Sequence, residues 1–190
     1  MKKFDIKEIH VPTISLFLIC TVVTLLLAVT NSVTVDRIEQ LRIEKENTLK
    51  IAVLPVAKEF SDAKTIALDG KEYKYYEGYD DNKSFVGYVF STSAKGYGGD
   101  IETMVGIKAD GTVSGVDFLS IEETVGLGMN AKSDDFKSQF VGKSGVIGVN
   151  KNTSSDTEIQ ALTGATITSK AVTEAVNIAL ELFEEVGKNG

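Results

Sequence analysis

Thr163-Gly164-Ala165-Thr166-Ile167-Thr168-Ser169 runs directly into a long amphipathic pattern, and this junction decides how the C-terminal part of the chain folds. Val172, Ala175, Val176, Ala179, Leu182, Phe183 and Val186 recur at helical spacing, the apolar stripe of a helix lying against a sheet. Thr168 or Ser169 is the expected N-cap, and Gly187 stands near the expected end. Gly164 and Ala165 carry almost no side chain, which leaves the Thr166 hydroxyl open to a bulky reagent. The first turn of a helix also offers unpaired backbone N–H groups that suit a phosphate. A small-residue turn before a helix is usually just a cap; this one has the added chemistry of a place to carry a phosphorylated group.

Upstream of that helix the period changes. Tyr73, Tyr75, Phe85, Val86, Tyr88 and Phe90 lie in short runs punctuated by Gly70, Gly78, Asp80-Asp81-Asn82 and Gly87, which reads as strands and turns. Ile101, Thr103, Val105 and Ile107 alternate with Glu102, Met104 and Gly106. After Ala109-Asp110-Gly111, Val116 and Phe118 alternate with Gly115 and Asp117, so a β-hairpin is expected there. Asp134 to Phe140 reads as a short helix and Val146 to Val149 as a further strand. Tyr73, Tyr75 and Tyr76 are the kind of rings that stack on a flat ligand, yet half-buried strand aromatics are the commoner case. The fold class is α+β, an antiparallel sheet with a long C-terminal helix.

The N-terminal segment is different again. From Val11 to Val35 there is no charged residue, and roughly 20 apolar residues cross a bilayer core of about 30 Å. We read residues 11–35 as one transmembrane helix in contact with membrane lipid. A cleaved signal peptide is the competing reading, but Val29-Thr30-Asn31-Ser32 offers no clear small-x-small site, and Ile19 before Cys20 does not suit lipoprotein processing. Lys2, Lys3 and Lys7 outnumber Asp5 and Glu8, which points residues 1–10 to the cytoplasm and the bulk of the chain to the outer face. Ile38, Leu41, Ile43, Leu49, Ala52 and Val53 then sit among many charges, so residues 36–56 read as a solvated helical connector ending at Leu54-Pro55. Residues 57–190 form the extracytoplasmic domain.

Composition excludes several functions. The 190 residues carry a net charge of -7 with a pI near 4.8, so nucleic acid is not an expected partner: phosphate neutralisation needs Lys and Arg stripes. One Cys and one His cannot build an iron–sulfur cluster, a c-type haem attachment or a structural zinc site. Cys20 lies inside the apolar run and His10 just before it, away from the candidate site. No metal is expected, and a nucleophilic triad in its usual form is ruled out as well. If this chain moves electrons, the carrier must be organic.

The run Leu162 to Ser169 resembles the flavinylation motif of the FMN-binding domain family found in the G subunit of Rnf complexes and the C subunit of Nqr complexes. Gly96-Tyr97-Gly98-Gly99 with Ile101 to Val105, and Glu123-Thr124-Val125-Gly126-Leu127-Gly128, are similar to the family's other two signatures and stand in the right order. The resemblance covers nearly the whole chain. It implies that FMN is joined through its phosphate to Thr166 by a phosphodiester bond, added by a separate flavin transferase from FAD. It also implies a flavoprotein subunit relaying electrons between ferredoxin and NAD with other membrane subunits of an Rnf-type ion-translocating complex. Such a protein catalyses nothing alone, and no dinucleotide fingerprint is present. Gln160 stands where the pattern usually has Asp, and Val125 where it often has Pro; the first bears on recognition by the transferase.

On this reading Thr163, Gly164, Ala165, Thr168, Ser169 and Lys170 surround the phosphate, with the helix terminus contributing about 0.3–1 kcal/mol at an exposed site. Glu123, Thr124, Gly126, Leu127 and Gly128 form a second wall, the glycines permitting backbone approach and Glu123 and Thr124 supplying polar groups. Glu122 and Glu123 are not an acid/base pair, because adjacent side chains of an extended segment point to opposite faces. Two alternatives stay open: an Nqr-type C subunit, and a non-redox extracytoplasmic binding or assembly module, which Gln160 keeps alive.

Overall fold

The computed structural model describes residues 6–189, with side chains described from His10 to Lys188. Lys2, Lys3 and Asp5, and the side chains of Lys7 and Glu8, on which the expected orientation rests, lie outside the described residues. The chain divides into two compact units, Met1–Glu44 and Lys45–Gly190.

Helix α1 (Ile6–Val53) begins in the first unit and its last turns, from Lys45, belong to the second; it includes a window of mean hydropathy 2.5, long and apolar enough to cross a bilayer. Several of its hydroxyls are satisfied within the helix. Thr21 donates to the Phe17 carbonyl at 2.8 Å, Thr24 to that of Cys20 at 2.7 Å and Thr30 to that of Leu26 at 2.9 Å. Back-bonding of this kind presents methyl groups outward and leaves those polar groups partnered in an apolar medium.

The second unit is a sheet covered on both faces. Strands β1 (Glu59–Phe60), β2 (Lys64–Leu68), β3 (Lys71–Tyr79), β4 (Phe85–Lys95), β5 (Asp100–Lys108) and β6 (Val113–Ser120) are all antiparallel; β3 to β6 follow in order and β1 and β2 share the outer edge of β3. The expected hairpin is β5–β6, with Val105 opposite Val116. Downstream come a 3₁₀ turn (Gly128–Lys132), α2 (Asp134–Ser138), β7 (Gly148–Asn150), β8 (Glu158–Gln160) and α3 (Thr166–Asn189). The expected strand at Val146–Val149 is β7, which stays out of the main sheet and pairs in parallel with β8.

Period-2 alternation sorts the sheet's two faces. Phe90, Ala94, Ile101, Val105, Ile107, Val116 and Phe118 share one core with Val172, Ala175, Val176, Ala179 and Leu182 of α3. Tyr75 stacks on Phe90 in the same layer, with ring centroids 5.8 Å apart. On the other face, Val89, Met104, Leu119 and Tyr76 pack with Leu49, Val53, Leu54 and Ala57.

That second core corrects the expectation of a solvated connector for the end of residues 36–56, where Leu49, Lys50, Val53 and Leu54 are buried, while residues 36–45 are exposed. The reason is a glycine floor: Gly106 and Gly115 are directly opposed on β5 and β6, and a Cβ on Gly106 would lie 2.2 Å from the Val53 carbonyl oxygen. With no side chains there, the end of α1 settles onto the strand backbones. Its polar groups follow. Lys45 donates to the Leu119 carbonyl at 2.6 Å, the Tyr76 hydroxyl donates to Glu46, and the Lys50 ammonium lies 4.2 Å from the centre of the Tyr76 ring. Burial, and then the bond to Glu46, push the Tyr76 phenol well above its ordinary pKa.

Helix α3 starts earlier than its apolar stripe suggests. Thr166 is its first residue, and the Ser169 amide donates to the Ala165 carbonyl at 3.0 Å, which makes Ala165 the N-cap rather than Thr168 or Ser169. Gly187 lies inside the helix, which runs on to Asn189.

Candidate functional site

Two glycine turns of the same kind shape the site. In Leu162-Thr163-Gly164-Ala165 the Ala165 amide donates to the Leu162 carbonyl at 3.0 Å, and Gly164 has φ +74 at the third position, the pattern of a type II turn. Ser169 fastens this turn to the helix: its hydroxyl accepts from the Leu162 amide at 2.9 Å and donates to the Ala165 carbonyl at 3.0 Å. In Thr124-Val125-Gly126-Leu127 the Leu127 amide donates to the Thr124 carbonyl at 3.2 Å, and Gly126 has φ +79. Val125 therefore occupies the second position, where Pro is common in type II turns. Asn130 braces the turn by donating to the Gly126 carbonyl at 3.1 Å.

The third piece is the β4–β5 connection, Gly96 to Gly99, closed by a 2.8 Å bond from the Gly96 amide to the Gly99 carbonyl. Glu123 joins all three. It is 9% exposed; one carboxylate oxygen accepts the Tyr97 amide at 2.8 Å and the Gly98 amide at 3.2 Å, and the other accepts the Thr168 hydroxyl at 3.0 Å. Its neighbour Glu122 is exposed, as alternation requires.

Between these pieces lies an open cleft of ≈ 560 Å³, lined by Tyr97, Glu123, Thr124, Leu127, Gly128, Gly164, Ala165, Thr166, Ile167 and Thr168. Cofactor pockets commonly measure about 300–1,000 Å³. Thr166 sits half-buried in its wall as the first residue of α3, and its hydroxyl makes no hydrogen bond among the described residues, whereas those of Thr168 and Ser169 are both engaged. The amides of Thr166, Ile167 and Thr168 precede Ser169, the first amide to donate within the helix, so this wall carries the positive end of the helix dipole. Glu123 is the one charged side chain among the lining residues, and it is committed to the protein.

Set against expectation, the cleft gathers Thr166, Gly164, Ala165, Thr168, Glu123, Thr124, Leu127 and Gly128. Thr163 is exposed outside it, while Ser169 and Gly126 shape turns behind it. Lys170 does not belong to this cleft: one turn further along α3, it lines a separate groove of ≈ 450 Å³ with Ile147, Thr173, Glu174, Asn177 and Glu181. Tyr73, Tyr75 and Tyr76 lie elsewhere, and the ring at the cleft belongs to Tyr97, 73% exposed. Sequence reasoning did not single out Tyr97, and its place in the glycine-rich Gly96–Gly99 signature is the signal that could have found it. Ile167 was missed as well; facing solvent, it falls off the apolar stripe.

Gln160, at the departure from the flavinylation motif, is held at both ends of its backbone by Gln139, at 2.6 Å and 3.4 Å, and its side-chain amide donates to the Asn152 carbonyl at 3.2 Å. An Asp carboxylate has no donor for that last bond.

The residues present fit FMN. The helix terminus suits a phosphate, Tyr97, Leu127 and Ile167 offer apolar surface to a flat ring, and a free hydroxyl lies between them. Comparison with known proteins agrees. A family model described as FMN-binding domain matches residues 96–181. The chain is 36% identical to the G subunit of the Na(+)-translocating ferredoxin:NAD(+) oxidoreductase complex of Acetobacterium woodii, over 98% of this chain and 97% of that one. It is 35% identical to the proton-translocating counterpart of Clostridium ljungdahlii, covering 95% and 94%. Among solved structures, the C subunit of the Na(+)-translocating NADH-quinone reductase of Parabacteroides distasonis shares the fold, with a TM-score of 0.52 and 21% identity over 66% of this chain and 75% of that one.

Proposed function

The chain belongs to the G-subunit family of ion-translocating ferredoxin:NAD(+) oxidoreductase complexes, and we propose that its folded unit 45–190 carries FMN on Thr166 and relays electrons between other membrane subunits of such a complex. The observation that carries this reading is the free Thr166 hydroxyl, at the mouth of α3 and in the wall of a cleft where three glycine-rich segments meet.

When bound, FMN supplies the redox chemistry through its ring. The polypeptide holds it. The α3 amides face the phosphate with the positive end of the helix dipole, and no side-chain cation assists them, so the phosphodiester bond supplies the retention that ion pairing does not. In its formation by a flavin transferase, the Thr166 oxygen bonds to the flavin-side phosphorus of FAD, the pyrophosphate P–O bond breaks and AMP leaves with those electrons, while the hydroxyl proton passes to a base of the transferase. Tyr97, Leu127 and Ile167 would give the ring apolar contact, and Thr124 would offer a polar one.

Residues 11–35 anchor the chain in lipid with the short basic end in the cytoplasm and the flavin domain on the outer face, where a tethered carrier cannot diffuse away. Similarity over almost the full length to G subunits favours this reading over an Nqr-type C subunit, for which the likeness is one of fold. Relatives of similar identity, 36% and 35%, are named for Na(+) and for proton translocation, so similarity to them does not assign a coupling ion.

The test is co-expression with a flavin transferase, followed by a denaturing gel viewed for flavin fluorescence. The parent band is expected to fluoresce and Thr166→Ala to be dark. A dark parent, or fluorescence that survives in Thr166→Ala, overturns it.

A further inference from the structure

A carboxylate that is 9% exposed must fill its lone pairs from the protein, and where those donors come from says what it does. The three donors to Glu123 come from two distant segments: Tyr97 and Gly98 in the β4–β5 turn, and Thr168 in the first turn of α3. The surrounding glycines exist for this contact. A Cβ on Gly96 would lie 2.1 Å from one Glu123 oxygen; a Cβ on Gly128 would lie 2.7 Å from the other and 2.7 Å from the Thr168 oxygen; a Cβ on Gly98 would lie 2.2 Å from the Glu122 carbonyl oxygen.

We propose that Glu123 is the positioning residue of the flavin cleft, tying the turn that presents Tyr97 to the helix start that presents Thr166, so that the ring-contacting wall and the phosphate anchor keep a fixed spacing. The proposal rests on the FMN reading and deepens it. A phosphodiester holds the cofactor at one end, and the ribityl chain beyond it has several freely rotating bonds; attachment therefore does not orient the ring. Orientation needs walls at set positions, and Glu123 sets them through Tyr97 and Thr168 without being part of the attachment chemistry. Labelling and ordering become separable properties, one belonging to Thr166 and the other to Glu123.

Gln at this position preserves the geometry. Its carbonyl oxygen accepts the two turn amides, and its NH₂ donates to a Thr168 hydroxyl that has rotated to accept. Ala removes all three bonds, Thr168→Val removes one, and Gly128→Ala displaces the carboxylate without altering it.

The full-length parent, Glu123→Gln, Glu123→Ala, Thr168→Val and Gly128→Ala are co-expressed with a flavin transferase and purified in detergent. In-gel fluorescence reads labelling, and visible circular dichroism and fluorescence anisotropy of the native protein read ring order. All five are expected to be labelled. Glu123→Ala and Gly128→Ala lose the visible dichroism and fall to the anisotropy of a tethered but unconfined flavin; Thr168→Val falls part of the way; Glu123→Gln keeps both signals. A labelled Glu123→Ala with the parent's dichroism and anisotropy overturns the proposal, as does a Glu123→Gln that loses as much as Glu123→Ala. If Glu123→Ala does not fold, the comparison of Thr168→Val with Glu123→Gln decides: loss in the first with retention in the second supports positioning, and parental signals in Thr168→Val overturn it. An unlabelled parent overturns the FMN reading itself, a result distinct from any of these.

Discussion

Replacing Gly106 by Ala tests whether the end of α1 is seated on the sheet or merely passes over it. The new Cβ would fall 2.2 Å from the Val53 carbonyl oxygen and 2.6 Å from its carbon, whereas on the opposed Gly115 the nearest approach is 2.9 Å, to the same oxygen. The atoms in the way are backbone, so no rotamer change relieves the clash. The α1 end must rise by about 1 Å for Gly106→Ala and about half that for Gly115→Ala, and a radial gap of about 0.5–1 Å forfeits a quarter to a half of each dispersion contact. Those contacts belong to Val53, Leu54 and Ala57, exposed by 1%, 0% and 1%. Overpacking costs about 1–3 kcal/mol, offset by about 0.5–1 kcal/mol because Ala suits a strand better than Gly. The expected net loss is about 2 kcal/mol for Gly106→Ala and under about 1 kcal/mol for Gly115→Ala. At about 2–4 °C per kcal/mol for a chain of this size, Gly106→Ala melts about 4–8 °C lower. Gly187→Ala is the control, since its Cβ meets open space within α3, and it gains up to about 1 kcal/mol. Thermal unfolding of the full-length chains in detergent, followed by tyrosine near-ultraviolet dichroism, makes the comparison. A Gly106→Ala that melts at or above the parent, or a Gly115→Ala more damaged than Gly106→Ala, refutes the seat.

Val125 is 87% exposed at the second position of a type II turn, so Val125→Pro is expected to raise stability by about 0.4–1 kcal/mol through the unfolded chain while leaving flavin labelling unchanged; a lower denaturant midpoint would contradict the turn assignment. The Thr103 hydroxyl is buried without a partner, so Thr103→Val, which keeps the shape and removes the orphan, should be neutral or stabilising by about 1 kcal/mol in urea titration, and a clear loss would show that the hydroxyl has a partner. Glu77 accepts from Lys64 at 2.6 Å and from the Tyr79 hydroxyl at 2.7 Å, and these bonds, Lys64 first, hold its carboxyl below the usual 4.5. A depressed carboxylate pKa stabilises the fold above the unfolded value and stops doing so as pH falls through the folded one. Glu77→Gln is therefore expected to unfold at lower urea than the parent at neutral pH and to match it once both side chains are uncharged; a gap that persists in acid argues against the ion pair.

The parts of the fold legible in the sequence are those where one periodic face meets one partner. The α3 stripe is such a case, and so is the one face of β5–β6 that carries Val105, Ile107, Val116 and Phe118, since both lie against the same core. The seat for α1 was not legible, because its signal is an absence. Gly106 and Gly115 read as weak points in strands until the structure puts a carbonyl on top of them. The start of α3 was misjudged for a related reason: the hydroxyls of Thr168 and Ser169 suit a cap, and only their tertiary partners, Glu123 and the Leu162 amide, show them working inside the helix instead.

The site follows the same division. Local chemistry marks Thr166, where a small-residue turn precedes a helix, and the three glycine signatures stand in the sequence in plain order. What no spacing reveals is that they converge on one side chain. Read locally, Glu123 is a polar group in a loop, free to serve a ligand; its bonds to residues 25, 26 and 45 positions away show that its acceptors are already spent on the protein. A buried carboxylate with only neutral donors is costly to keep, and a chain whose cofactor needed nothing but a tether would have little reason to keep it. Its cost makes sense when the tether leaves the ring free to swing and electron transfer needs the ring in one place. On the proposed reading, attachment at Thr166 and the buried clamp at Glu123 answer separate problems, retention and orientation.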